Sequence, residues 1–158
     1  MNLVLTFRST RPARRPSAAF LVGSWFLALA ALPAPAASLR PAALRCEYRE
    51  APLGVDTPAP RLSWEYAFAN PRERDLDQRP SAYRILVARE AKALQPDRAD
   101  LWDSGDVSLS ATEAPPVAVA YAGNPLGPRE HCWWTVRVRD RHARWSDWAP
   151  ATYWTMGL

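Results

Sequence analysis

Residues 131–140, HCWWTVRVRD, alternate without interruption: Cys132, Trp134, Val136 and Val138 fall on one side of an extended strand, and Trp133, Thr135, Arg137 and Arg139 on the other. An apolar side of that length must be covered by a second layer, and a polar side must meet water or a partner. Six more segments carry the same short-strand signature, each closed by Pro, Gly, Asp or Asn. They are Leu44–Tyr48, Arg61–Ala67, Ala82–Ala88, Leu101–Gly105, Val117–Tyr121 and Ala151–Met156. Leu44, Cys46 and Tyr48 share one face of the first, and Leu62, Trp64 and Tyr66 one face of the second. The third, AYRILVA, is the most apolar and belongs at a sheet centre. One helical turn is expected at Glu90–Leu94, stopped by Pro96, and a solvated charged loop at NPRERDLDQRP. Seven short strands with no long helical period predict an all-β, antiparallel two-sheet sandwich of the immunoglobulin or fibronectin type III kind.

Residues 1–37 are set apart from that fold. Arg8, Arg11, Arg14 and Arg15 precede an apolar run from Ala18 to Leu32, and the small-residue pattern Ala34-Pro35-Ala36 follows, which is the order of a secretory leader. The run falls short of the roughly 20 residues of a membrane span, so cleavage is expected, with a retained anchor as the alternative. The leader holds four of the 20 basic residues and none of the 16 acids, which leaves 16 of each sign behind it. The apparent basicity therefore belongs to targeting, and a nucleic-acid role loses its compositional basis. An exported, periplasmic or extracellular domain covering 38–158 is the expectation, with no stable membrane span once the leader is removed.

Chemistry is hard to assemble from the rest. Glu47, Glu50, Asp56, Glu65, Asp103 and Asp106 are scattered over strand faces and turns, with nothing to pair two of them across a substrate. His131 and His142 lack the spacing of zinc ligands and a nucleophile to serve. No glycine-rich phosphate loop occurs, and no cofactor is expected. Cys46 and Cys132 both fall on inward faces of strands that can oppose each other, which leaves two readings: a disulfide across the sandwich, or two buried free thiols. Of the seven tryptophans beyond the leader, Trp64, Trp134 and Trp154 alternate into the core, whereas Trp133, Trp145 and Trp148 do not. Those three are candidates for domain docking or for stacking on sugar.

Five stretches in order, LRCEYREAPLGVDTPAPRLSWE, SAYRILVARE, DLWDSGDV, CWWTVRVRD and WSDWAPATYWTMGL, resemble the N-terminal sandwich domain of family 78 glycoside hydrolases, the bacterial alpha-L-rhamnosidases. The resemblance implies a noncatalytic accessory module whose partners are neighbouring domains of a rhamnosidase polypeptide, or rhamnose-containing glycans. In that family further β-domains follow and an (α/α) barrel supplies the inverting carboxylates, so no catalytic position is carried onto this sequence. Within LGVDTP, Gly54 suits a chain reversal, Asp56 and Thr57 suit bonds to nearby amides, and Pro58 and Pro60 hold the approach to the next strand extended. Asp103-Ser104-Gly105 reads as a strand end. One departure stands out: where fibronectin-like domains place a corner tyrosine before the sixth strand, the offset from Leu126 and Pro128 lands on Cys132.

Overall fold

The computed structural model describes residues 37–68, 79–112 and 114–158. The segment expected to be a leader, up to Ala36, and most of the expected charged loop lie outside them. Among the described residues eight strands run in the order β1 Leu39–Cys46, β2 Arg61–Phe68, β3 Ala82–Ala88, β4 Trp102–Asp103, β5 Val107–Ser108, β6 Val119–Ala120, β7 His131–Arg139 and β8 Thr152–Thr155. They form two antiparallel sheets, β1-β2-β6 and β4-β3-β7-β8, with β5 also paired to β3. The expected sandwich is present, and β3 and β7 lie at the centre of the larger sheet, as their apolar patterns require.

The differences concern edges. β1 begins at Leu39, earlier than alternation indicated, because Pro41, Ala42 and Ala43 carry little strand propensity and a register shift falls between Ala42 and Arg45. Tyr48 is not on an inward face: with Glu47 it takes positive φ, leaves the strand, stands 54% exposed and lies beneath the Arg61 guanidinium. Asp103-Ser104-Gly105 ends β4, as expected, but the same line is taken up again by β5, an eighth strand where seven were expected. Gly105 has φ +62°, its amide donates to Asp103 Oδ1, and β5 resumes the pairing that β4 began. The region after β7 is likewise not a simple turn. Arg139 and Trp145 form a bridge, and Ser146 N and Ala149 N donate to Val138 O and Val136 O, so residues 145–149 continue the line of β8 along β7, broken at Pro150. The helical turn is a single 3₁₀ turn, Ala91–Ala93.

Between the sheets lie Leu39, Cys46, Leu62, Tyr83, Ile85, Val87, Cys132, Trp134, Val136, Val138 and Trp154, all buried. Trp134 and Trp154 are completely so, as their alternation required, while Trp64 is only partly covered and packs on Tyr83, with ring centroids 5.4 Å apart. The corner lacking a tyrosine is held by other groups. Tyr121 donates its hydroxyl to Asn124 O and Leu101 O, and Glu130 accepts from Gly127 N at 2.6 Å while pairing with Arg89 Nε at 2.7 Å. The LGVDTP loop turns at Gly54, φ +71°, and sends its backbone bonds across to the last strand, where Val55 and Met156 form a parallel bridge.

Candidate functional site

Because side chains alternate along β7, the same strand that fills the core lifts Trp133, Arg137 and Arg139 onto the outer face of the larger sheet. The interrupted edge beside it supplies Trp145, Trp148 and Tyr153. Two groups result. In the first, Arg137 places its guanidinium carbon 4.4 Å from the Trp145 ring centre and 4.8 Å from that of Trp148, and Arg139 lies 5.5 Å from Trp145. Planar cations against ring faces gain electrostatic energy, so these tryptophans are part of an Arg–aromatic ladder. The ladder continues through Asp106, which pairs with Arg137 and Arg84 at 3.7 and 3.6 Å, to Asp103, which accepts two short bonds from Arg84. In the second group, His131 and Trp133 stack at 5.3 Å with planes 9° apart, and Tyr153 lies 4.7 Å from one ring and 5.2 Å from the other.

Sequence reasoning selected Trp133, Trp145 and Trp148, and all three are partly exposed on this side of the sheet. The structure brings Trp145 and Trp148 together around Arg137, and puts Trp133 with two partners that alternation alone did not select. The signal for Tyr153 was available: it is out of phase with buried Trp154 on an edge strand. An open groove of about 830 Å³ runs between Leu39–Leu44 of β1 and residues 145–152. Glu50 and Asp147 line it, and both are exposed.

The Arg84 hydrogen bonds hold the Asp103 carboxyl below its usual range, the reverse of what a general acid at neutral pH needs. Asp140, completely buried, would be pushed up by burial, yet bonds from Arg144 and Ser38 outweigh that and bring its pKa to about 2. It is a structural hub: Oδ2 accepts from Ser38 N, Ser38 Oγ and Arg144 Nε, and Oδ1 from the amides of His142 and Arg144. Nothing in the sequence reading singled it out, although an acid closing an apolar strand and followed by R-H-A-R was a visible clue. Among the described residues no three Cys, His, Asp or Glu side chains group to hold a metal.

Cys46 and Cys132 both line the core and stand in the structure as free thiols. Burial pushes each pKa up to about 12, assisted at Cys46 by Glu47 and by Cys132 itself and at Cys132 by Glu130. Neither thiol is then the thiolate that disulfide exchange requires.

Comparison with known proteins places this architecture. Residues 41–158 match the family described as Rha78A-like, N-terminal immunoglobulin domain. The chain belongs to that family. Among its relatives, an alpha-L-rhamnosidase of Streptomyces avermitilis is 40% identical over 121 residues, which are 77% of this chain and 11% of that one. The crystal structure of the Streptomyces avermitilis alpha-L-rhamnosidase complexed with L-rhamnose superposes with a TM-score of 0.65 at 41% identity, covering 76% of this chain and 11% of the other. The alpha-L-rhamnosidase from Dictyoglumus thermophilum gives the same TM-score at 27% identity, over 75% and 12%. This Rha78A-like immunoglobulin domain thus spans about a tenth of the length of the relatives it matches.

Proposed function

We propose that this chain is the noncatalytic accessory β-sandwich of an exported alpha-L-rhamnosidase-type glycoside hydrolase, and that it packs against and stabilises neighbouring domains. The observation that carries this reading is the extent of the likeness: a complete sandwich matches relatives called alpha-L-rhamnosidase over only 11% of their length. Support comes also from the outer face, where Asp103 and Asp106 pair with arginines, Trp145 and Trp148 lie against Arg137, and His131, Trp133 and Tyr153 lie against one another. Export rests on the leader, Arg8 to Ala36.

The test is to assay the purified chain on an aryl alpha-L-rhamnoside. No turnover above buffer is expected, and turnover abolished by substituting a carboxylate at the groove, Glu50→Gln or Asp147→Asn, would overturn the reading. A second reading, a carbohydrate-binding module for rhamnosides, is favoured by the partly exposed Trp133, Trp145 and Trp148. It is weakened because Arg137 lies against both Trp145 and Trp148, while His131 stacks on Trp133, and sugar stacking needs open ring faces. Saturable quenching of tryptophan fluorescence by rhamnosides, lost in Trp133→Ala or Trp148→Ala, would favour binding over packing.

A further inference from the structure

We propose that the end of the sandwich where β8 leaves is the docking surface for the polypeptide that follows this domain in the longer alpha-L-rhamnosidases, and that the joint is rigid rather than hinged. The inference rests on the accessory reading above, and adds to it a face and an occupant.

The departing strand is clasped on both sides. On one, Thr155 N donates to Pro52 O, Val55 N to Thr155 O and Gly157 N to Val55 O, at 3.1, 2.8 and 2.9 Å, with Gly54 N on Thr155 Oγ1. On the other, Met156 N donates to Glu130 O and Arg129 N to Gly157 O, at 2.9 and 2.8 Å. A Cβ at Gly157 would meet the exposed Asp56 carboxylate, which would have to swing aside. Backbone held this way up to Gly157 has none of the freedom of a Gly/Ser linker.

Around the clasp the surface is apolar. Leu53 is 73% exposed, one of the large apolar side chains most open to solvent among the described residues. On the outer face of the same sheet stand His131, which pairs in register with Thr155, and the rings of Trp133 and Tyr153. Each residue advances a chain by at most about 3.5 Å, so a domain that begins a few residues beyond β8 starts within reach of Leu53 and these rings. Aromatic side chains, gathered as these three rings are, belong to the kind that the buried centre of an interface is made of. The relatives' remaining length, about nine tenths of each chain, supplies the occupant.

The experiment substitutes residues 37–158 for the matching segment of the Streptomyces avermitilis alpha-L-rhamnosidase and compares that chimera with the isolated chain. Leu53→Asp and Trp133→Ala are introduced into both, with Val117→Asp, at the 80% exposed Val117, as the control. In the chimera, amide exchange at 129–135 and 152–158 is expected to be protected about tenfold or more beyond the isolated chain. Leu53→Asp and Trp133→Ala should remove that protection, while Val117→Asp leaves it and Leu53→Asp leaves the isolated chain's Tm unchanged. A chimera more stable than the enzyme with the segment deleted, yet indifferent to Leu53→Asp and Trp133→Ala, overturns this proposal and spares the accessory reading. A chimera no more stable than the deleted enzyme overturns both. Loss of self-association by the isolated chain on Leu53→Asp would assign the surface to a second copy and overturn the proposal as well.

Discussion

On one side of β7, Cys132, Trp134, Val136 and Val138 are wholly buried, while on the other Trp133, Arg137 and Arg139 keep part of their surface in water and His131 is exposed. Backbone, ladder partners and strand propensity are the same for both sides, so the contrast isolates what side-chain environment alone does. The inner side is dry: the indole N–H of Trp134 finds no hydrogen-bond partner among the described residues, a cost the buried ring area more than offsets. The outer side is polar but matched, with nearly every charge set against a ring or an opposite charge. Stability is thus concentrated on one face of the strand, and the other is left free to be shaped for contact.

The contrast is sharpest in thiol chemistry. Cys46 and Cys132 should label in the folded chain at least ~10³-fold more slowly than after denaturation, because reagent must await an opening that costs on the order of 5 kcal/mol. Denatured without reductant, the chain should show both thiols, and a count of zero would mean that the cysteines are bonded. Next in size, Trp134→Ala should cost about 3–5 kcal/mol in denaturant unfolding, from lost burial and the cavity left behind. Trp133→Ala, two residues away, should cost well under half of that, and equal losses would break the comparison.

The third test uses pH. The folded-state pKa of Asp140, about 2, lies below its ordinary value near 4, so its contribution is complete above about pH 4 and disappears as pH falls through 2. That contribution is on the order of 2 kcal/mol, and melting between pH 5 and 2 should show it in the natural chain but not in Asp140→Asn. The smallest effect is on the outer side: Arg137→Ala should lower stability by about 1 kcal/mol through loss of two ring contacts. Arg137→Lys should recover little of it, since a compact ammonium cannot lie flat against Trp145 and Trp148.

The alternation at 131–139 and the apolar run at 82–88 made the two-layer architecture legible, since period-two patterning and burial are the same statement for a half-buried strand. The edges were not legible. β1 is joined by Pro41, Ala42 and Ala43, and residues 145–149 carry two tryptophans, a serine and an aspartate, so their pairing is imposed by neighbours rather than by propensity. Of the candidate face, the selection of Trp133, Trp145 and Trp148 followed from phase alone. Their partners did not, because Arg137 meets Trp145 across the chain reversal that Asp140 organises, and no local rule links residues on opposite arms of an unrecognised edge.

The broken outer strands have a consequence for the molecule in solution. β4 and β5 are two residues each, separated by Gly105, β8 is four residues beyond Pro150, β6 is two, and β1 carries Pro41 and an irregular register. Among the described residues, no border therefore presents a long, flat row of vacant amides and carbonyls for a foreign strand to zip onto. A protein this rich in β-structure is in that way guarded against templated aggregation while it is still crowded among copies of itself.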